Sequence, residues 1–143
     1  MLRISQFCIL FVAAMPLFTI PASADNEPHN SVTCHSPYII DGDTFQCDDT
    51  RIRLAGIDAP ETDGHCRQGR RCVQGDAEAA KNHLNELTRT KVECTAIDTD
   101  HYGRSIALCK ASGVDLSCAM IGSGHAIPRY RQINCPSSQT VNP

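Results

Sequence analysis

The sequence contains no tryptophan, and its other aromatic residues are few: four phenylalanines and three tyrosines in 143 residues. A surface on which several nucleotide bases stack needs a series of exposed aromatic rings. The composition therefore excludes a broad stacking platform. If the protein acts on a polymer, it is expected to discriminate only modestly between substrates.

Positive charge is also scarce. Thirteen Lys and Arg residues stand against 16 Asp and Glu residues, which gives a net charge of −3 with neutral histidine. Passive nucleic-acid coat proteins are basic, because phosphate neutralisation supplies most of their affinity. The charge balance argues against such a protein. It does not exclude an enzyme, since a bound divalent cation and a few arginines set the field inside a site.

Long hydrophobic runs are absent after residue 24, so no later segment approaches the roughly 20 apolar residues of a membrane span. The single apolar stretch runs from Phe7 to Ile20, follows Arg3 and precedes Ala22-Ser23-Ala24. This arrangement predicts a signal peptide over residues 1–24, with an uncleaved anchor as the alternative. After cleavage the protein would be secreted or periplasmic, would not contact the membrane and would keep 119 residues.

No CxxC pair occurs among the nine cysteines, although zinc sites usually bring their ligands in such close pairs. Cys8 lies in the predicted signal peptide, and the remaining eight cysteines are an even number, which indicates disulfide bonds in a small exported domain. Eight cysteines permit 105 pairings, and the sequence alone does not decide among them. The predicted hairpins favour neighbours along the chain: Cys34 with Cys47, Cys66 with Cys72, Cys94 with Cys109, and Cys118 with Cys135.

The length fits one domain. Polar composition predicts a flexible N-terminus over residues 25–33 and a disordered tail over residues 136–143, with the folded domain at 34–135 between them. β-favouring segments predict strands, and apolar residues at spacings of three and four predict helices. The predicted strands are two within residues 34–48 on either side of Asp41-Gly42, then 51–54, 91–97 and 105–110, and the predicted helices are 76–88 and 115–122. This order predicts a mainly β, α+β fold, a five-stranded Greek-key barrel of the OB type with two short helices and disulfide staples.

Two acidic segments are candidates for a metal site. Asp41-Gly42-Asp43-Thr44 places two carboxylates and a hydroxyl around a bend, and Asp58-Ala59-Pro60-Glu61 follows the third predicted strand. A hard cation such as Ca²⁺ binds several oxygen ligands, which a bend can bring together. The alternatives are an ordinary Asp-Gly turn, whose carboxylates accept from backbone amides, and a solvated acidic strand end.

Two arginines accompany these carboxylates. Arg53 lies between apolar Ile52 and Leu54 on the strand that leads to the second acidic segment, and Arg104 lies in a hairpin loop. Guanidinium groups bind phosphate well, with a salt bridge to the nearby aspartates as the alternative for Arg53. Two arginines, a metal and a free carboxylate are the groups that phosphoryl transfer requires.

In order and spacing, these motifs closely resemble the staphylococcal nuclease (thermonuclease) family. The matching segments are Ile40–Thr44, Ile52–Thr62, Asp100–Arg104 and the helix with its trailing Gly-x-Ala over Leu116–Ala126. The resemblance implies an OB-fold and a calcium-dependent nuclease that hydrolyses DNA and RNA with little sequence specificity and leaves 3′-phosphates.

The resemblance also implies roles for individual residues. Asp43, Asp58 and the backbone carbonyl of Ala59 would bind Ca²⁺ directly. Asp41 and Thr44 would contact these ligands without binding the cation themselves. Arg53 and Arg104 would stabilise the pentacoordinate phosphate, and Tyr102 would donate a hydrogen bond to a phosphate of the bound strand. Glu61 is the candidate general base that would take a proton from the attacking water, a role that is debated within the family. His101 stands where the family commonly has a lysine, so one phosphate contact is expected to be weaker or pH-dependent.

Further substrate contacts are expected outside these motifs. Arg67, Arg70 and Arg71 form the densest basic patch, in which Arg70 and Arg71 would bind the nucleic-acid backbone, and Tyr130 would stack on a base. A solvated basic loop and a tyrosine that only covers the barrel end are the alternatives. The protein is expected to act as a monomer on DNA and RNA. An OB-fold module that binds single strands or a protein partner without catalysis, and a domain that binds calcium for stability alone, are the competing hypotheses.

Overall fold

The computed structural model describes residues 30–62 and 64–136. The predicted signal peptide, residues 25–29 of the predicted flexible N-terminus and residues 137–143 of the predicted tail lie outside these ranges. Within them are nine strands and two helices. The strands are β1 Ser31–Cys34, β2 Tyr38–Ile39, β3 Thr44–Cys47, β4 Thr50–Leu54, β5 Ile57–Asp58, β6 Val92–Thr99, β7 Ser105–Ala111, β8 Val114–Asp115 and β9 Ile127–Pro128. The helices are α1 Ala77–Leu87 and α2 Leu116–Gly122.

Seven of the strands form one sheet. Six follow the order β1-β6-β7-β4-β3-β2 and β8 pairs with β7, while β5 and β9 form a separate ladder. The β4–β7 pair is parallel and the other pairs in this sheet are antiparallel. The five predicted strands are β2, β3, β4, β6 and β7, and the predicted mainly β fold with two helices is confirmed. The other four strands, β1, β5, β8 and β9, are two to four residues long and were not predicted.

The large sheet is curled rather than flat. β1 and β3 are four positions apart in the strand order, so a flat sheet would separate them by about 19 Å at about 4.8 Å per strand. Cys34 of β1 and Cys47 of β3 nevertheless form a disulfide, with a Cα–Cα distance of 5.6 Å. The two ends of the sheet therefore approach each other, as a small barrel requires.

β1 corrects one expectation. Residues 31–33 were expected to be flexible, but Ser31–Cys34 pairs with β6, with Val32 opposite Cys94. Its hydrogen bonds are to a strand some 60 residues away, and the polar composition of residues 25–33 gave no sign of that partner.

All four favoured disulfide pairings are present in the structure. Cys94 and Cys109 lie directly opposite each other on β6 and β7, and the Cys118–Cys135 bond ties α2 to the C-terminal segment. Four disulfides indicate that the protein folds in an oxidising environment.

Both helices begin as the sequence predicts. Asp76 caps α1 by accepting from the Ala79 amide at 2.9 Å, and Asp115 caps α2 by accepting from the Cys118 amide, also at 2.9 Å. The helices bury their apolar faces against a core whose largest fully buried members are Phe45, Ile52, Leu54, Ile57, Leu84, Leu116 and Met120. In the described residues, neither helix has the length and apolar character to cross a membrane.

Close packing places the first acidic segment beside the second. A Cβ atom added to Gly42 would lie 2.8 Å from the Cβ atoms of both Ala59 and Ala80, so only glycine permits the bend to sit this close to the Asp58 loop and to α1. The Leu54 amide also donates to the Asp43 carbonyl at 2.8 Å. These contacts hold the two acidic segments side by side.

Candidate active site

A cleft of about 1140 Å³ opens at this junction. Its walls are the bend at Asp41 and Asp43, residues 59–61 and 65–70, the β6–β7 hairpin and the segment at Tyr130. Six of the chain's 13 basic residues line it: Arg51, Arg53, Arg67, Arg70, Arg104 and Arg131. Five acidic residues line it as well: Asp41, Asp43, Glu61, Asp98 and Asp100. The cleft thus has a small excess of positive charge in an otherwise acidic protein, which favours anions.

Arg53 joins the two acidic segments at the floor of the cleft. Its Nη1 donates to Asp43 Oδ1 at 2.6 Å, and its Nη2 donates to Asp58 Oδ1 at 3.0 Å and to the Ile57 carbonyl at 3.3 Å. Burial lowers the pKa of Arg53, but the charges of Asp43 and Asp58 outweigh this effect and raise it overall. Arg53 is therefore a permanent cation between two buried carboxylates, as its salt-bridge interpretation predicts.

Both carboxylate oxygens of Asp43 accept hydrogen bonds. Oδ1 also accepts from the Thr44 hydroxyl at 2.8 Å, and Oδ2 accepts from the Ala59 amide at 3.1 Å. Asp41 Oδ1 accepts from the Asp43 amide at 3.0 Å, which closes the bend. Burial raises the pKa of Asp43 to about 7, an increase that Arg53 offsets only in part. The protein thus holds this carboxylate in a place that penalises its negative charge.

Asp58 is only 1% exposed and is bonded to three arginines. Arg53 and Arg70 donate to Oδ1, and Arg129 Nη1 donates to Oδ2 at 2.5 Å. The sequence did not identify Arg129 as a site residue, and it lies 71 residues from Asp58 along the chain. The β5–β9 pairing, with Asp58 opposite Ile127, brings the two residues together. No local signal could have revealed this contact.

Arg70 connects the second acidic segment to Tyr130. Its guanidinium donates to Asp58 and to Glu61, and Nη2 donates to the Tyr130 hydroxyl at 3.1 Å. Burial lowers the pKa of Arg70, but its hydrogen bond to Asp58 and the charges of Asp58 and Glu61 together outweigh this effect and raise it overall. Tyr130 has φ of 72°, an unusual conformation for a bulky residue, and its ring lies 5.7 Å from the Arg53 guanidinium.

The β6–β7 hairpin forms the opposite wall. Asp100 Oδ1 accepts from the amides of Tyr102 and Arg104 at 2.9 and 3.0 Å, and its Oδ2 accepts from Arg104 Nε at 2.8 Å. Partial burial raises the pKa of Asp100, but these hydrogen bonds outweigh it and lower the pKa overall. The Tyr102 ring contacts the guanidiniums of Arg104 and Arg67 at 5.3 and 5.7 Å, so the hairpin meets the basic patch across the cleft.

Most of the site residues predicted from the sequence meet in this cleft. Those that line it are Asp41, Asp43, Arg53, Ala59, Glu61, Arg70, Tyr102, Arg104 and Tyr130. Thr44 and Asp58 are buried behind its floor. Arg71 does not line the cleft with these residues, and its backbone carbonyl accepts from Arg129 at 2.8 Å.

The donor set for a cation can be judged from these contacts. Asp43 and Asp58 converge on one guanidinium next to Ala59, and hard carboxylate and carbonyl oxygens suit Ca²⁺. Arginines, a hydroxyl and an amide hold the carboxylate oxygens of both residues. Over residues 30–62 and 64–136, no group of three or more His, Cys, Asp or Glu side chains has a metal-binding arrangement. The oxygen ligands of Asp43, Asp58 and Ala59 are thus of the chemical type that binds Ca²⁺. In this structure the positive charge beside the two carboxylates comes from arginines.

Comparison with known proteins points to one family. Residues 51–141 match the model of the family described as staphylococcal nuclease homologue. The match begins after Asp43, so this family model does not cover the first acidic segment. The chain is also 34% identical over 96 residues to the succinoglycan biosynthesis protein ExoI of Rhizobium meliloti (strain 1021). That alignment covers 64% of this chain and 49% of the relative, so the chain spans about half the length of that protein.

Proposed function

Because the chain belongs to the staphylococcal nuclease homologue family, whose model matches more than half of its length, we propose that it is a secreted or periplasmic nuclease. Its proposed reaction is hydrolysis of phosphodiester bonds in DNA and RNA with little sequence specificity, leaving 3′-phosphates. The observation that carries this proposal is the pair of buried carboxylates that Arg53 joins at the floor of an arginine-lined cleft. Such a cleft suits a polyanion despite the acidic net charge of the chain.

The proposed cofactor is Ca²⁺, with Asp43, Asp58 and the Ala59 carbonyl as ligands and with Asp41 and Thr44 holding Asp43 in place through the contacts described above. When bound, the cation would neutralise charge on the phosphate and make the attacking water more acidic. The carboxylate pair fits this role in chemical type, and the calcium requirement is a proposal that the experiment below tests.

The chain's own residues supply the remaining groups. In the proposed reaction a water oxygen bonds to phosphorus while the bond between phosphorus and the 5′-oxygen breaks. Glu61 takes the proton from the water, and the 5′-oxygen takes a proton from solvent and leaves as a hydroxyl. Arg104, held by Asp100, and Arg53 would stabilise the additional negative charge on the phosphate. Tyr102, Tyr130, Arg70 and Arg71 are proposed to contact the flanking nucleotides.

The decisive experiment is hydrolysis of single-stranded DNA and of RNA by the oxidised protein, with calcium and with a chelator. Glu61→Gln and Arg104→Lys should each lower the rate by about a hundredfold or more, the size usual for a general base or a charge-stabilising donor. Arg89→Gln is the matched control, because Arg89 lies beyond α1 and forms an exposed ion pair with Glu86. A folded protein that hydrolyses neither polymer in calcium would refute the proposal.

A module that binds nucleic acid or a protein partner without cleavage is the second candidate. One observation favours it: arginines hold all three of the carboxylates that the reaction needs, Asp43, Asp58 and Glu61. This candidate predicts single-stranded DNA binding that calcium does not alter, together with intact substrate after prolonged incubation. The same assay therefore separates the two candidates.

The remaining proposals concern location and assembly. A cleavable signal peptide over residues 1–24 would export the chain, and the four disulfides agree with an oxidising compartment. We propose that the protein acts there as a monomer.

A further inference from the structure

Arg70 makes more contacts with the acidic groups of the cleft than any substrate role requires. Its guanidinium bonds to Asp58, to Glu61 and to the Tyr130 hydroxyl at once. The first of these is a proposed cation ligand and the second is the proposed base. One side chain therefore occupies both of the groups that the reaction must use.

The three arginines on Asp58 are not equally able to leave it. Arg53 lies within β4 at the centre of the large sheet, and the backbone amide of Arg129 donates to the Gly56 carbonyl at 2.9 Å. Arg70 instead belongs to the loop that the Cys66–Cys72 disulfide closes. Its amide bonds only to the Arg67 carbonyl within that loop, at 3.1 Å, and the side chain is 28% exposed. The Arg129 side chain is similarly exposed, at 23%, but its backbone is tied to the β5–β9 ladder through Gly56. Arg70 is thus the one of the three whose backbone amide has no described bond to a strand, so its loop and side chain can move together.

We propose that Arg70 is an exchangeable latch on Asp58 and Glu61. In the cation-free protein it neutralises both carboxylates, and a cation that binds Asp58 displaces it. Displacement also frees Glu61, so loading of the cation and release of the base are a single event. This inference rests on the proposed function, from which it takes the roles of Asp58 and Glu61.

The latch makes a quantitative prediction about cation affinity. Arg70→Gln removes a charged competitor for Asp58, so Ca²⁺ should bind about tenfold more tightly, as expected when one charge-assisted hydrogen bond need not be broken. Isothermal titration of calcium into the oxidised protein at fixed ionic strength measures this directly and does not depend on catalysis.

Arg71→Gln is the matched control. Arg71 is the next residue of the same loop and carries the same charge, but its described contact to the site is made by its backbone carbonyl, which the substitution keeps. A general electrostatic effect would change both variants alike. The latch predicts that Arg71→Gln alters the calcium affinity by less than about twofold, because only screened long-range charge is lost.

Tyr130→Phe provides a second test if Arg70→Gln does not fold. It removes only the oxygen that accepts from Arg70, on a side chain that is 69% exposed, and should tighten calcium binding by a smaller factor. Calcium binding in the parent chain with equal affinities for Arg70→Gln and Arg71→Gln would overturn the latch alone. Absence of calcium binding in every variant would overturn the latch together with the calcium requirement of the proposed function.

Discussion

At the scale of single residues, Arg53 is the group on which the floor of the cleft depends. It is 9% exposed and bonds to two carboxylates that are 4% and 1% exposed. Taking such charges out of water is costly, and only their mutual contacts offset the cost. The same side chain is therefore needed for stability and, in the proposed reaction, for binding phosphate. A loss of activity in an Arg53 variant has two causes, which a separate measurement of stability distinguishes.

Replacement of Arg53 by methionine should lower the free energy of unfolding by about 3 to 5 kcal/mol, because it leaves buried Asp43 without its arginine and removes one of the three arginines on Asp58. Urea denaturation at about pH 8, where Asp43 is ionised in the parent chain, would express the full loss. At about pH 5 the loss should be smaller, because Asp43, whose pKa burial raises to about 7, can take up a proton instead.

The control for Arg53 is Arg89→Met, which removes an exposed ion pair with Glu86 and should cost about 1 kcal/mol or less. A loss for Arg53→Met no larger than this control would show that the pairing at the cleft floor contributes little. The conclusion about Arg53 would then have to be withdrawn.

At the scale of secondary-structure elements, the β6–β7 hairpin is built around Asp100. The carboxylate accepts from two backbone amides of its own loop and from the Arg104 side chain. It therefore fixes the shape of the loop and the direction of the guanidinium at the same time. In this hairpin a structural residue orients the proposed charge-stabilising arginine.

Asp100→Asn should lower the turnover number by about tenfold while KM changes less. The substitution weakens the pairing of residue 100 with Arg104 and lets the guanidinium move, and the contact of Arg104 with the phosphate is proposed to form mainly in the transition state. Asp98→Asn is the control, since Asp98 lies in the same hairpin and the described hydrogen bond of its carboxylate is from the adjacent Thr99 amide, at 2.7 Å. Equal kinetics for the two variants would contradict the positioning role of Asp100.

At the scale of the whole molecule, disulfides close a sheet whose end strands are not hydrogen-bonded to each other in the described residues. Cys34–Cys47 joins β1 to β3 across that opening, and both cysteines are 2% exposed. The Cys66–Cys72 bond instead closes a short loop at the edge of the cleft. The two bonds should therefore contribute differently to stability.

Removal of the Cys34–Cys47 pair by a double alanine substitution should cost about 2 to 4 kcal/mol in unfolding free energy. The matched removal of Cys66 and Cys72 should cost less, because it opens a shorter loop and empties no buried site. Thermal denaturation of both variants under oxidising conditions measures the difference. A larger loss for the Cys66–Cys72 variant would contradict the closing role assigned to the first bond.

Much of the architecture could be predicted from the sequence, because it depends on local interactions. The caps at Asp76 and Asp115, the apolar spacing of both helices, the five predicted strands and the pairing of neighbouring cysteines all involve residues close in the chain. The short motifs around Asp43, Asp58 and Arg104 predicted the family for the same reason, since each motif is contiguous.

Tertiary structure alone decided which partners these residues have. Arg129 reaches Asp58 across 71 residues, Arg67 meets Tyr102 across the cleft, and β1 finds its partner in β6. None of these contacts follows from periodicity or composition, because each depends on how the barrel closes. The sequence by itself determined the elements, the set of charged groups and Arg53 as a candidate partner of the aspartates, because these depend on residues close in the chain. Only the tertiary structure decided that Arg70 and Arg129 also hold Asp58, because segments distant in the chain, such as β5 and β9, must first come together.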